Sequence, residues 1–120
     1  MPFRLLTVDE VIYIHDSVLN PNELAGLAMN KSLEGALGRI DFRLDYGLIS
    51  DVFDLGSAYA IAIATGHVFN DANKRTALQA MMVSMKLNGL ELTWPTEVIG
   101  DKIRDVAQGK VDEIELANWL

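Results

Sequence analysis

The run His67-Val-Phe-Asn-Asp-Ala-Asn-Lys-Arg75 gathers an imidazole, a carboxylate, two amides and two cations between two apolar stretches. Asp71 or Asn70 is of the right type to cap the helix that follows, yet Lys74 and Arg75 then fall in its first turn, where the helix dipole disfavours positive charge. A bound anion removes that conflict. Free amides at a helix start, joined by Lys and Arg side chains, form a phosphate cradle without a glycine-rich loop. Asn70, Asn73, Lys74 and Arg75 are therefore the candidate nucleotide- and phosphate-binding residues. Asp71, the one carboxylate of the run, is the candidate Mg2+ ligand, because that ion is usually held by one or two carboxylates together with phosphate oxygens and water. His67, as a neutral imidazole, is the candidate general base. Phe69, a large apolar ring two residues further on, is expected to anchor the loop in the core. The plainer reading, a capped interhelical turn with solvated charges, leaves the cations in the first turn unexplained.

The elements that must hold this run are helical. Thr7-Val-Asp-Glu10 has the spacing of a capping box, and Val8, Val11, Ile12, His15, Val18 and Leu19 draw an apolar stripe on a helix that ends before Asn20-Pro21. Residues 20 to 32 read as a loop. From Ser32, the residues Leu33, Ala36, Leu37, Ile40 and Leu44 restore helical spacing up to Gly47. Ser50 to Thr65 and Thr76 to Leu87 are apolar nearly all round, which predicts two enclosed helices, the first stopped by Gly66 and the second by Asn88-Gly89. Leu90 to Trp94 is a connector. Thr96 is placed to cap a helix running to Gln108, and Asp112-Glu-Ile-Glu115 offers a second capping box for a terminal helix ending in Trp119-Leu120. The predicted fold class is all-α: an orthogonal bundle of about six helices in a single domain over residues 1–120.

Composition narrows the function. The 120 residues contain no cysteine, which excludes disulfide scaffolds, thiolate metal sites and cysteine nucleophiles, and makes a reducing cytoplasm the default location. Ten basic against seventeen acidic residues give a formal net charge of −7, so direct nucleic-acid binding is not expected. No apolar run approaches the ~18 residues of a membrane span, and the N-terminus lacks the features of a secretory signal.

The nine-residue run resembles the signature of the Fic/Doc superfamily, in its Doc form: His-x-Phe-x-Asp-Ala-Asn-Lys-Arg, against His-Pro-Phe-x-x-Gly-Asn-Gly-Arg in Fic adenylyltransferases. Its seven specified positions would arise by chance in a chain of this size on the order of once in ten million. The resemblance extends through His15-Asp16, Gly38-Arg39, Asp51-Val-Phe53 and Asn88-Gly89. It implies a Fic fold, a toxin of a type II toxin–antitoxin pair, and His67 as the base that activates a protein hydroxyl toward a nucleotide phosphate. Doc toxins are similar to Fic enzymes in fold but transfer the ATP γ-phosphate to a threonine of translation elongation factor Tu, which stops protein synthesis. Lys74 stands where Fic has its second glycine and favours that kinase chemistry. The alternatives are AMP transfer of Fic type and an inactive antitoxin-binding module. Leu78 replaces the second arginine of many Fic proteins, Thr65-Gly66 lacks a basic residue that some Doc proteins carry, and the self-inhibitory Fic helix is missing. Restraint is therefore expected from a cognate antitoxin whose C-terminal segment docks beside the signature, near residues 20 to 32.

Plainer roles suit the remaining candidates: a hydrogen-bonded structural histidine for His15, an exposed helix face for Arg39 and Arg43, and core packing for Met81, Met82 and Met85. Trp94 and Trp119 are expected to pack structurally.

Overall fold

The missing partners of a helix's first amides explain where most of the helices start. The structure, a computed structural model, describes residues 2–120. Its helices are α1 (Val8–Val18), α2 (Leu33–Asp45), α3 (Val52–Gly66), α4 (Asn73–Leu87), α5 (Thr96–Ala107) and α6 (Glu113–Trp119). Four of them begin with a side-chain cap: Thr7 and Asp112 form full capping boxes with Glu10 and Glu115, while Ser32 and Asp51 each accept one amide hydrogen bond. Pro95, rather than Thr96, occupies the cap position of α5, and Thr96 is the first helical residue. Helix α4 starts at Asn73, three residues before the apolar stretch predicted from Thr76, because its first turn is polar and carries no apolar period.

The protein is all-helical among its described residues, with α3 at the centre, packed against α2, α4, α5 and α6. Helix α3 is buried nearly all round, as its unbroken apolar composition predicts. Small residues let α4 approach it closely. A Cβ added to Gly56 would lie 2.5 Å from Met85 Sδ, so this glycine is fixed by contact with α4. Met81 and Met85 are fully buried in that seam.

Polar side chains join the outer elements to α3. Ser57 Oγ donates to the Glu113 carbonyl at 2.6 Å, and the Leu6 amide donates to Tyr59 Oη at 2.7 Å. Burial raises the Tyr59 phenol above its ordinary range. Asn88 ends α4 and clamps the N-terminal segment by exchanging two hydrogen bonds with the backbone of Arg4, at 2.8 and 2.9 Å. Trp94 and Trp119 stack on each other, ring centroids 4.9 Å apart, under the Lys102 ammonium. Arg43 departs from the exposed face expected of it. It reaches α6 and pairs with Glu113 at 3.1 Å. No helix among the described residues is long and apolar enough to cross a membrane.

Candidate active site

The run from His67 to Arg75 is the turn between α3 and α4, and it is bracketed by two left-handed residues that are not glycine, His67 (φ 49) and Ala72 (φ 66). Gly66, predicted to stop α3, is instead its last helical residue, and His67 takes the left-handed cap position. The reversal at His67 buries the next two side chains, Val68 and Phe69, while leaving the imidazole exposed. Phe69 is 3% exposed.

The loop between α1 and α2 lines up against this turn as a short antiparallel pairing. The Ala28 amide donates to the Val68 carbonyl at 2.8 Å, the Asn70 amide donates to the Gly26 carbonyl at 3.2 Å, and Leu27 bridges Phe69. Asn70 Nδ2 adds a bond to the Ala25 carbonyl at 3.1 Å. Neither Asn70 nor Asp71 caps α4, contrary to expectation, since both are turned toward this loop. Asp71 Oδ2 accepts the Leu24 amide at 2.8 Å. Asn73, expected among the phosphate-binding groups, uses both ends of its side-chain amide on Phe69: Oδ1 accepts the Phe69 amide at 3.1 Å and Nδ2 donates to its carbonyl at 3.0 Å. Its side chain is a brace for the turn, and its backbone amide is what remains for an anion.

Helix α4 therefore follows an N-cap residue, Ala72, that offers no side-chain cap, and it has no acidic residue in its first turn, where Lys74 and Arg75 stand. Helix α5 also lacks a side-chain cap, but Glu97 in its first turn complements the dipole. At α4 the dipole end meets two cations, one of which, Arg75, is paired with Glu23. Lys74 is exposed and has no ion-pair partner among the described residues. Arg75 is gripped by Glu23: Nη1 donates to Oε1 at 2.7 Å and to the Val18 carbonyl at 2.6 Å, and Nη2 donates to Glu23 Oε2. The Arg75 hydrogen bonds, aided by the Asn20 amide, hold the Glu23 carboxyl below the usual carboxylate range.

These groups open on one cavity of about 340 Å3, lined by His67, Asp71, Lys74, Arg75 and Glu23, with Ala107 of α5 opposite. A groove of about 460 Å3 between α4 and α5 adjoins it and shares Lys74 and Arg75. The combined space suits a small ligand with an anionic end at the α4 amides. A divalent cation also fits the donor chemistry. Asp71 Oδ1 accepts no hydrogen bond among the described residues, and the described residues hold no cluster of three or more His, Cys, Asp or Glu side chains suited to a metal. A cation at Asp71 would take its other ligands from phosphate and water, as Mg2+ commonly does.

Two residues at the site were not assigned to it from the sequence. Glu23 lies 52 positions from Arg75 with no local pattern to mark it. His15 is fully buried, as its place on the α1 stripe requires, but its ring touches the turn itself.

An all-helical bundle with this signature at an uncapped helix start defines the class: the chain belongs to the Fic/DOC family, whose family model matches residues 5–85. It is 31% identical over 118 residues to the protein kinase doc of Escherichia phage P1, an alignment that covers 98% of this chain and 93% of that protein.

Proposed function

We propose that this chain is the toxin of a toxin–antitoxin pair and acts in the cytoplasm as a protein kinase on a threonine hydroxyl of elongation factor Tu. The observation that carries this reading is the start of α4: an uncapped dipole end with two cations in its first turn, opening on a cavity with His67 at its rim. The similarity to a protein kinase supports the choice of phosphoryl transfer. ATP with Mg2+ supplies the phosphoryl group. The α4 amides, Lys74 and Arg75 bind its phosphates, and Asn70 and Asn73 hold the turn in register. Asp71 Oδ1 is the ligand for the cation. His67 Nδ1 or Nε2 accepts the proton of the threonine hydroxyl as its oxygen attacks the γ-phosphorus, the bond from that phosphorus to the β–γ bridging oxygen breaks, and ADP leaves, so the exposed ring faces the protein substrate. Lys74 adds positive charge where the phosphoryl group's negative charge must be balanced in transit.

Leu24 and Met29, both exposed on the loop beside the cavity, support docking of an antitoxin segment there. A segment that folds as it binds covers such a surface and is removed by proteolysis. The test is expression in a bacterial host with and without the neighbouring short reading frame, followed by mass spectrometry of elongation factor Tu. The reading requires growth arrest, a phosphothreonine on that protein, and relief of both by the neighbouring product.

A further inference from the structure

The turn between α3 and α4 is held from beneath by one residue of α1. The His15 ring lies flat on Phe69, with centroids 3.9 Å apart and an interplanar angle of 6°. Its Nε2 donates to the Asp71 carbonyl at 2.8 Å, and its Nδ1 lies 3.2 Å from Asp16 Oδ1. Burial of an imidazole without partners is unfavourable, and a phenyl or aliphatic group would fill the same place on the stripe as Val11 does. What histidine adds is a donor aimed at one particular carbonyl. The first carbonyl used inside α4 is that of Ala72, which accepts from Thr76, so the Asp71 carbonyl lies outside the helix's own ladder. That carbonyl belongs to the peptide entering left-handed Ala72, and its direction sets where the Asp71 side chain and the first amides of α4 point.

We infer that His15 is a positioning residue for the candidate site: its stack on Phe69 sets the depth of the turn, and its Nε2–H fixes the Asp71 peptide. The inference rests on the proposed role of Asp71 as cation ligand, and it deepens that role by naming the group that orients the ligand. Outer partners that orient a ligand typically affect metal affinity ten- to a hundredfold.

The experiment compares the full chain with His15→Phe, which keeps the ring and loses the donor, and His15→Gln, which keeps a donor and loses the ring. Hydrogen exchange over residues 67–75, thermal unfolding, and calorimetric binding of ADP with and without Mg2+ are measured on each. The expected result is a folded His15→Phe protein whose exchange quickens in residues 67–75 but not in α3 or α5. Its Mg2+-dependent gain in ADP affinity falls about tenfold, and His15→Gln, with the donor but not the stack, restores part of both. Wild-type loop protection and Mg2+ dependence in a folded His15→Phe protein would overturn the inference. If that variant does not fold, His15→Gln decides: partial protection of the turn supports the donor role, and its loss contradicts it. Absence of nucleotide binding by the wild-type protein would instead defeat the proposed function, while loop exchange continues to report on His15.

Discussion

Glu23, on the loop between α1 and α2, closes both carboxylate oxygens on the guanidinium of Arg75, in the first turn of α4. A carboxylate thus sits on the cation that a phosphate would engage. The geometry is bidentate, which is the arrangement in which arginine also binds phosphate.

The first prediction follows from that competition. Glu23→Gln keeps the shape of the loop and weakens its hold on Arg75, so affinity for ADP rises by roughly two- to fivefold, the modest change expected of an exposed pair. Calorimetry at low and high salt measures it. Weaker binding in the variant would mean that Glu23 orients Arg75 and does not compete for it.

His67 makes no contact that the core depends on, being exposed in a left-handed position. His67→Ala is expected to lower phosphoryl transfer by about a hundred- to ten-thousandfold, the range for loss of a general base, with the fold intact. Single-turnover kinetics and circular dichroism together test this. A folded variant with full transfer activity removes His67 from the mechanism.

Ala72 is the position where the Fic signature carries glycine, and it has φ 66 without the freedom of glycine. An L-residue in this region costs about 1–2 kcal/mol, partly offset by the greater chain entropy of glycine when unfolded. Ala72→Gly is therefore expected to stabilise the protein by about 1 kcal/mol, raising Tm by about 3–5 °C. A lower Tm in calorimetric unfolding contradicts strain at this residue.

Glu113 provides a pH test. Burial raises its carboxyl above the ordinary carboxylate range, against the attraction of Arg43 and Arg39, and its side chain is only 15% exposed. A group with a raised native pKa binds its proton more tightly when folded. Stability therefore falls as pH rises from the ordinary carboxylate value through the raised one, and is level above it. Glu113→Gln is expected to be more stable than the wild type at pH 7, by about 1 kcal/mol or less, with the difference closing in acid. Denaturant titrations at several pH values check it. A variant less stable at pH 7 would show that the ion pair with Arg43 outweighs desolvation.

The helices were legible because their evidence is local. Capping boxes at Thr7 and Asp112 and the stripe through Val8, Val11 and His15 each lie within a few residues of the structure they specify. The turn at His67–Arg75 was legible for the same reason: its residue types sit side by side. What local spacing concealed was the use of those side chains. Asn73 has the amide of a phosphate ligand, but Phe69 lies four positions away in sequence and takes both its groups. Asp71 has the type of a helix cap, yet its carboxylate meets Leu24 across 47 positions. Gly66 has the freedom of a helix stop, but burial of Val68 and Phe69 places the reversal one residue later, at His67. The Asp71 difference comes from the loop at residues 20 to 32, whose partners no periodicity reveals, and the other two come from the turn folding on itself around the buried Phe69.

Phosphoryl transfer is distinguished from AMP transfer with ATP labelled on either the α or the γ phosphate. The purified chain is incubated with elongation factor Tu, Mg2+ and one of the two labels, and the acceptor protein is counted and its modified residue mapped. A kinase places γ label on a threonine and none from the α position, and His67→Ala loses the transfer. Covalent α label on the acceptor, with no γ label, would contradict it and identify AMP transfer as the reaction.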